Sequence, residues 1–247
     1  MAEPDPDLTE TVKELAEEDV QPARRRKLLG RLVRDQTAKQ GVRDLFKPKK
    51  AAAWMADAIA DIVPHLPVRD LETLRRHYDG LDGERLAERL VRNASRVTAG
   101  IGAAGGGVAA VEWVATPTLL SAPVLLAAET VAVVAVEMKL IGELHEVYRQ
   151  PVPGTGAQRA VELVQAWAQQ RGVNPLAPGR GITTALGVAA RKELRDRLLK
   201  RMGRNLTTLG PLLTGAAVAG FLNRKATQSL GEKIREDLAA KQRELAP

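Results

Sequence analysis

The chain has 247 residues, no cysteine, and a formal net charge of +7 from 37 Lys and Arg against 30 Asp and Glu. That length can bury a substantial core in one large domain or two small ones. The lack of cysteine excludes disulfides and thiolate chemistry, leaving a zinc site only three histidines and carboxylates to draw on.

The first nineteen residues carry eight acids and one lysine, so neither a secretory signal nor a mitochondrial presequence is expected. Residues 1–7 read as a disordered tip. Short charged helices are expected over 9–19 and 23–40, with Pro22 suited to a first helical turn. The run Lys47-Pro48-Lys49-Lys50 breaks the pattern before an alanine-rich helix over 51–62. Residues 1–50 thus read as a charged helical N-terminal arm, followed by a helical core domain over 51–245. Pro64 and Pro67 bound a turn, and Leu71, Leu74 and Tyr78 resume helical spacing before Asp79-Gly80 and Asp82-Gly83 punctuate the chain. Leu86, Leu90 and Val91 mark an amphipathic helix over 84–96.

After Gly100 the composition changes. Residues 97–136 are nearly free of charge, broken only by Glu112 and Glu129, and residues 206–222 form a second such stretch. From Val124 a helical pattern runs to Tyr148, ended by Pro151 and Pro153-Gly154. A further helix is expected over 157–170, with Ala160, Val161, Val164, Trp167 and Ala168 on its apolar face. The loop 172–181 is a candidate domain boundary. A basic helix over 183–202, a small-residue helix from Pro211 to about Leu222, and a charged closing helix over 229–245 complete the chain. The fold class expected is all-α, a multi-helix bundle with closely packed Gly/Ala-rich central helices.

Small residues let backbones approach closely, and the four-residue spacings Gly102–Gly106, Gly215–Ala219 and Ala216–Gly220 suit such contacts. Gly102, Gly106, Gly215 and Gly220 are therefore candidate packing positions. A spanning helix needs about 20 apolar residues. Residues 113–128 offer sixteen with two prolines, and residues 206–222 offer seventeen, so neither is a clean span. A carboxylate at bilayer depth costs about 2.5 kcal/mol or more, which weighs against burying Glu112 and Glu129 in lipid. A water-excluding helical core explains the same pattern.

The basic residues cluster. Residues 22–50 hold eleven Lys and Arg against two acids, and residues 180–247 hold fourteen against six. Such fields favour an anionic partner. Arg24, Arg25, Arg26, Arg201, Arg204, Arg224 and Lys225 are the candidate contacts to an anionic surface, and flanking bases can add about 1 kcal/mol each near such a leaflet. Nucleic acid is disfavoured as a partner, because the chain has seven aromatics and no recognised reading module.

Motifs that would carry chemistry are scarce. Residues 100–105 satisfy GxGxxG literally, but the fingerprint needs a preceding strand, and a helix precedes it here. Glu129 and Glu137 recur with Tyr148 on one side of the long helix and are the candidate functional carboxylates. Lys139, Glu143, His145 and Glu146 cluster toward its wetter end, where a Glu/His group suggests a metal. Pairing with arginines from neighbouring helices accounts for these acids more simply. His65 and His77 lack partners at ligand spacing. No catalytic residue, cofactor or metal is assigned, and an enzyme is the weakest of the functional readings.

The order of features resembles the EcsC-like bacterial proteins. The likeness rests on the Gly/Ala stretch 100–107, the long apolar segment, and the run Glu137-Met138-Lys139-Leu140-Ile141-Gly142-Glu143-Leu144-His145-Glu146-Val147-Tyr148. It continues in the basic helix 194–202, Leu209-Gly210-Pro211, Gly215, Gly220, Asn223 and the charged closing helix, covering about 100–245. Just after Tyr148, where that family is expected to carry glycine, this chain has Arg149. The resemblance implies an all-helical, membrane-associated protein with a transport-related or envelope-related accessory role.

The leading expectation is a non-enzymatic helical accessory protein on the cytoplasmic face of the membrane, peripheral or partly inserted, contacting anionic lipid or a membrane protein. The alternative is a soluble structural or interaction protein, a scaffold or cargo component with a charged N-terminal addressing arm and a protein partner. A homo-oligomer is compatible with either.

Overall fold

A computed structural model of the chain describes residues 6–40, 48–115, 122–170 and 216–245. They form eight α-helices and no strand: α1 (Pro6–Leu15), α2 (Pro22–Gln40), α3 (Pro48–Ile62), α4 (Leu71–His77), α5 (Gly83–Ala115), α6 (Ala122–Val147), α7 (Ala157–Gln170) and α8 (Ala216–Leu245), with a short 3-10 turn at Val63–His65. The all-α bundle expected from the sequence is what the chain adopts. The expected loop 172–181, the basic helix 183–202, and the candidates Arg201, Arg204 and Gly215 lie outside the described residues.

α6 is the axis of the bundle. Every residue from Thr130 to Leu144 is buried. A helix apolar on all sides must be covered on all sides, and α1, α2, α3, α4, α5, α7 and α8 all pack on it. Val131, Val134, Met138 and Ile141 have essentially no exposed surface.

α5 and α8 form a long antiparallel pair beside it. Val91 meets Gly231, Thr98 meets Asn223, and Gly102 meets Ala219. α5 runs unbroken through the GxGxxG run, so those glycines are helix-surface positions facing neighbours rather than a phosphate loop. The expected division near Gly100 does not occur. Nor does the expected division between 222 and 229, because the intervening Asn223–Gln228 holds neither proline nor glycine and α8 continues through it.

The first two helices share this core. Leu8, Val12 and Leu15 of α1 and Leu28, Leu29, Leu32 and Val33 of α2 are buried with α3, α5 and α6. Residues expected as a charged arm thus present charge outward and an apolar stripe inward. α4 is started by Asp70, whose side chain accepts from the Thr73 amide at 2.8 Å, an ordinary N-cap. On α7 the buried stripe is Ala160, Leu163 and Trp167, with Val161 and Val164 half-buried. The apolar face therefore centres on Leu163, a position the expected face left out.

Candidate functional site

Glu137 lies at the middle of α6 with no exposed surface. Trp167 of α7 donates its indole N–H to Glu137 Oε2 at 2.7 Å, and Thr227 of α8 donates its hydroxyl to Oε1 at 3.1 Å. Each carboxylate oxygen thus accepts from a different helix. Burying a charge is tolerable only with such partners, and the result is a polar rivet joining three helices.

Glu129 sits two turns earlier on α6, half-buried. Asn223 of α8 donates Nδ2–H to its Oε1 at 2.6 Å. Its other oxygen lies against α5 where Gly105 has no side chain, since a Cβ there would come within 2.7 Å of Oε2. Both candidate carboxylates are therefore wired into helix–helix contacts, an arrangement that suits a structural role better than proton transfer.

A third polar node involves residues the sequence pattern did not single out. Arg69, in the segment before α4, reaches Glu143 of α6 through Nε (2.7 Å to Oε1) and Nη2 (2.9 Å to Oε2), and it also reaches Glu18 at 3.1 Å. Tyr78 donates its hydroxyl to Glu18, and Asn93 of α5 donates to the other Glu18 oxygen at 2.7 Å. Burial alone would raise the Glu18 pKa. The hydrogen bonds from Tyr78, Arg69 and Asn93 outweigh it and hold the carboxyl below its ordinary value. Burial, reinforced by the Glu18 carboxylate, pushes the Tyr78 phenol up to about 12.

The wetter end expected for α6 is not where the sequence reading put it. Lys139 and Glu143 are buried, Lys139 lying 3.7 Å from Glu17 and Glu143 held by Arg69, because the α1–α2 connection and the segment before α4 cover them. His145 and Glu146 are half-buried. The His145 Nδ1–H donates to the Gln150 carbonyl at 2.8 Å, and burial lowers its pKa below the ordinary histidine value. Among the described residues no group of three or more histidines and acids is placed to hold a metal ion.

A fourth node ties the end of α6 to the start of α5. Tyr148 donates its hydroxyl to Glu84 at 2.5 Å, while Arg235 of α8 pairs with Glu84 and lies 3.5 Å from Glu88.

The candidate surface bases divide. Arg26, Arg224 and Lys225 are exposed. Arg24 is exposed but bound to Glu14 of α1 through both carboxylate oxygens, at 2.6 and 2.8 Å. Arg25 is a correction: it is only 5% exposed and turned toward α5, so it does not stand on the open surface with Arg24 and Arg26. It lies on the same helical stripe as Leu28, Leu29 and Leu32, which carries it inward.

Of the packing glycines, Gly102 and Gly220 are closely approached. A Cβ at Gly102 would come within 2.8 Å of the Ala219 backbone, and one at Gly220 within 2.8 Å of the Ala99 carbonyl oxygen. Gly106, one turn beyond Gly102, is half-buried.

The first described turns of α8 expose Val218, Phe221 and Leu222 at 38, 61 and 55%. These are the large hydrophobic side chains left exposed among the described residues, and exposed Arg224 and Lys225 follow after Asn223. No helix of the described residues is long and apolar enough to cross a membrane. Compared with protein families, with characterised proteins and with solved structures, the chain matches none.

Proposed function

We propose that this chain is a non-enzymatic helical accessory protein that docks reversibly on an anionic membrane surface, led by the start of α8. The observation that carries this reading is the exposed trio Val218, Phe221 and Leu222 set against exposed Arg224 and Lys225. Apolar side chains beside bases are what an interfacial helix presents to lipid, the first entering the acyl boundary and the second meeting phosphate headgroups. Full burial of one such side chain is worth about 1.5–3 kcal/mol, and each base near an anionic leaflet about 1 kcal/mol. The sum suits peripheral binding. The carboxylates of the interior add support of another kind, since each one described above is committed to holding helices together. The resemblance to EcsC-like proteins fits an accessory role in transport or in the cell envelope, on the cytoplasmic side.

Flotation of the full chain with vesicles tests the reading. Vesicles containing anionic phospholipid should carry the protein up the gradient, and neutral phosphatidylcholine vesicles should carry much less. Phe221→Ser with Leu222→Ser should abolish flotation while leaving the helical signal intact, and Arg224→Gln with Lys225→Gln should make it weaker and less dependent on salt. Failure of the wild-type chain to float on anionic vesicles would remove this reading, and recovery of a defined soluble protein partner through Phe221 and Leu222 would put the scaffold alternative in its place.

A further inference from the structure

Beside Arg25 lies a cleft of about 510 Å³, bounded by the α1–α2 connection, the end of α4 and one face of α5. Arg89 and Arg96 line it from α5, seven residues apart and hence on one stripe of that helix, with Asn93 between them. Both arginines are exposed, and among the described residues neither has a carboxylate within ion-pair distance.

Arg25 differs from them in being buried. Its Nη2 donates to the Glu17 carbonyl at 2.6 Å and its Nη1 to the Val97 carbonyl at 3.4 Å. A guanidinium has five N–H groups, and here the Nε–H is buried without any acceptor. No carboxylate pairs with this charge among the described residues, so its desolvation is not offset by an opposite charge. Burial accordingly depresses its pKa. The lack of a side chain at Gly100 is what gives the guanidinium its place, since a Cβ there would collide with Nη1. A purely structural arginine in such a position ordinarily finds an acid.

The acids around the cleft do not supply one. Glu18 is already engaged by Arg69, Tyr78 and Asn93. Asp19 and Asp79 line the cleft but are exposed, and neither approaches Arg25, Arg89 or Arg96 to ion-pair distance.

We propose that this cleft binds an anionic ligand through a phosphate group, held by Arg25, Arg89 and Arg96. Guanidiniums suit phosphate oxygens because their planar fork gives paired, charge-assisted hydrogen bonds. The cleft exceeds the needs of a bare anion, so its occupant carries an organic portion, whether a soluble phosphorylated molecule or a lipid headgroup. None of Val218, Phe221 and Leu222 lines this cleft, and the proposal does not depend on them.

The test is calorimetric titration of the full chain with inorganic phosphate and with glycerol phosphate, at ionic strength matched by sodium chloride. Saturable binding is expected with at least one of them. Arg89→Gln with Arg96→Gln should weaken it at least about tenfold, the loss typical of removing charged hydrogen bonds. These two positions are exposed, so that variant should keep the wild-type circular dichroism spectrum. Arg25→Met should abolish binding if it folds. Vesicles of phosphatidic acid in phosphatidylcholine supply the second arm: competition with glycerol phosphate assigns the site to a lipid headgroup, and its absence assigns it to a soluble ligand. No saturable binding of either probe, or equal binding by wild type and the Arg89/Arg96 variant, would overturn the proposal.

Discussion

The Arg69 guanidinium grips both oxygens of the Glu143 carboxylate, joining the segment before α4 to the central helix across 74 positions of sequence. Glu143 is nearly fully buried and Arg69 mostly so. Removing Arg69 leaves the Glu143 charge without its arginine in a dry place, which costs about 3–5 kcal/mol, whereas removing Glu143 leaves Arg69 still paired with Glu18 at 3.1 Å. Arg69→Ala should lower stability by about that much in urea unfolding, and Glu143→Ala by less, because Arg69 keeps Glu18. The double substitution should cost clearly less than the sum of the two, because the Arg69–Glu143 contact can be lost only once.

The same node gives a pH dependence. Glu18 has its folded pKa below the ordinary 4.5, so its contribution is fully present above the unfolded value and is lost as pH falls through the folded one. Unfolding midpoints measured between pH 6 and pH 3 should fall on acidification. Glu18→Gln should fall less over the same interval and start from a lower value at pH 6.

Gly102 and Gly220 mark where α5 and α8 touch backbone to backbone. A methyl group at either position meets peptide atoms within 2.8 Å, and peptide atoms cannot rotate away. Gly102→Ala and Gly220→Ala should each cost about 1–3 kcal/mol despite alanine's better helix propensity. Gly30, with nothing near its Cβ position, is the control: Gly30→Ala should raise stability by up to about 1 kcal/mol. A thermal-melt series on the three variants checks both directions.

These contacts also show what the sequence could and could not reveal. The proline-free helical pattern from Val124 to Tyr148 announces one long helix, and α6 spans Ala122–Val147, but the wetter end expected of it is covered at Lys139 and Glu143. The Gly/Ala runs announced close packing, and Gly102 and Gly220 provide it. Arg25 was legible too, through its spacing of three, four and seven residues from Leu28, Leu29 and Leu32, but charge alone led it to be grouped with Arg24 and Arg26. Arg69 had no such signal. It lies in an irregular segment with no period to place it, and its partners Glu18 and Glu143 are distant in sequence. Trp167 was read as core, yet its indole N–H needed an acceptor, and Glu137 was the buried acid available.

The end of α6 closes in a left-handed turn that glycine would fit better. Arg149 has φ 57°, with its amide bonded to the Glu146 carbonyl at 3.0 Å and the Gln150 amide to the His145 carbonyl at 2.9 Å. That is the Schellman pattern, whose left-handed position favours glycine. Arg149→Gly should stabilise the chain by about 0.5–1 kcal/mol, the steric relief exceeding the added freedom of the unfolded state. Urea titration resolves a change of that size.

The closing contact is the one between Trp167 and Glu137, and it can be measured as a pair. The indole donor sits 2.7 Å from a carboxylate with no exposed surface. Trp167→Phe removes the donor and some volume, and a hydrogen bond to a charged group is worth about 1.5–3 kcal/mol. Glu137→Gln keeps the shape but removes the charge. If the bond rivets α6 to α7, a cycle of wild type, both single variants and the double variant should give a coupling energy above about 1 kcal/mol. A coupling near zero would mean that Trp167 holds its place by packing alone. In that case Thr227, which donates to the other oxygen, would contribute more than Trp167 to holding Glu137. Thr227→Val would then be the costlier substitution, since it removes a hydroxyl donor to a buried carboxylate.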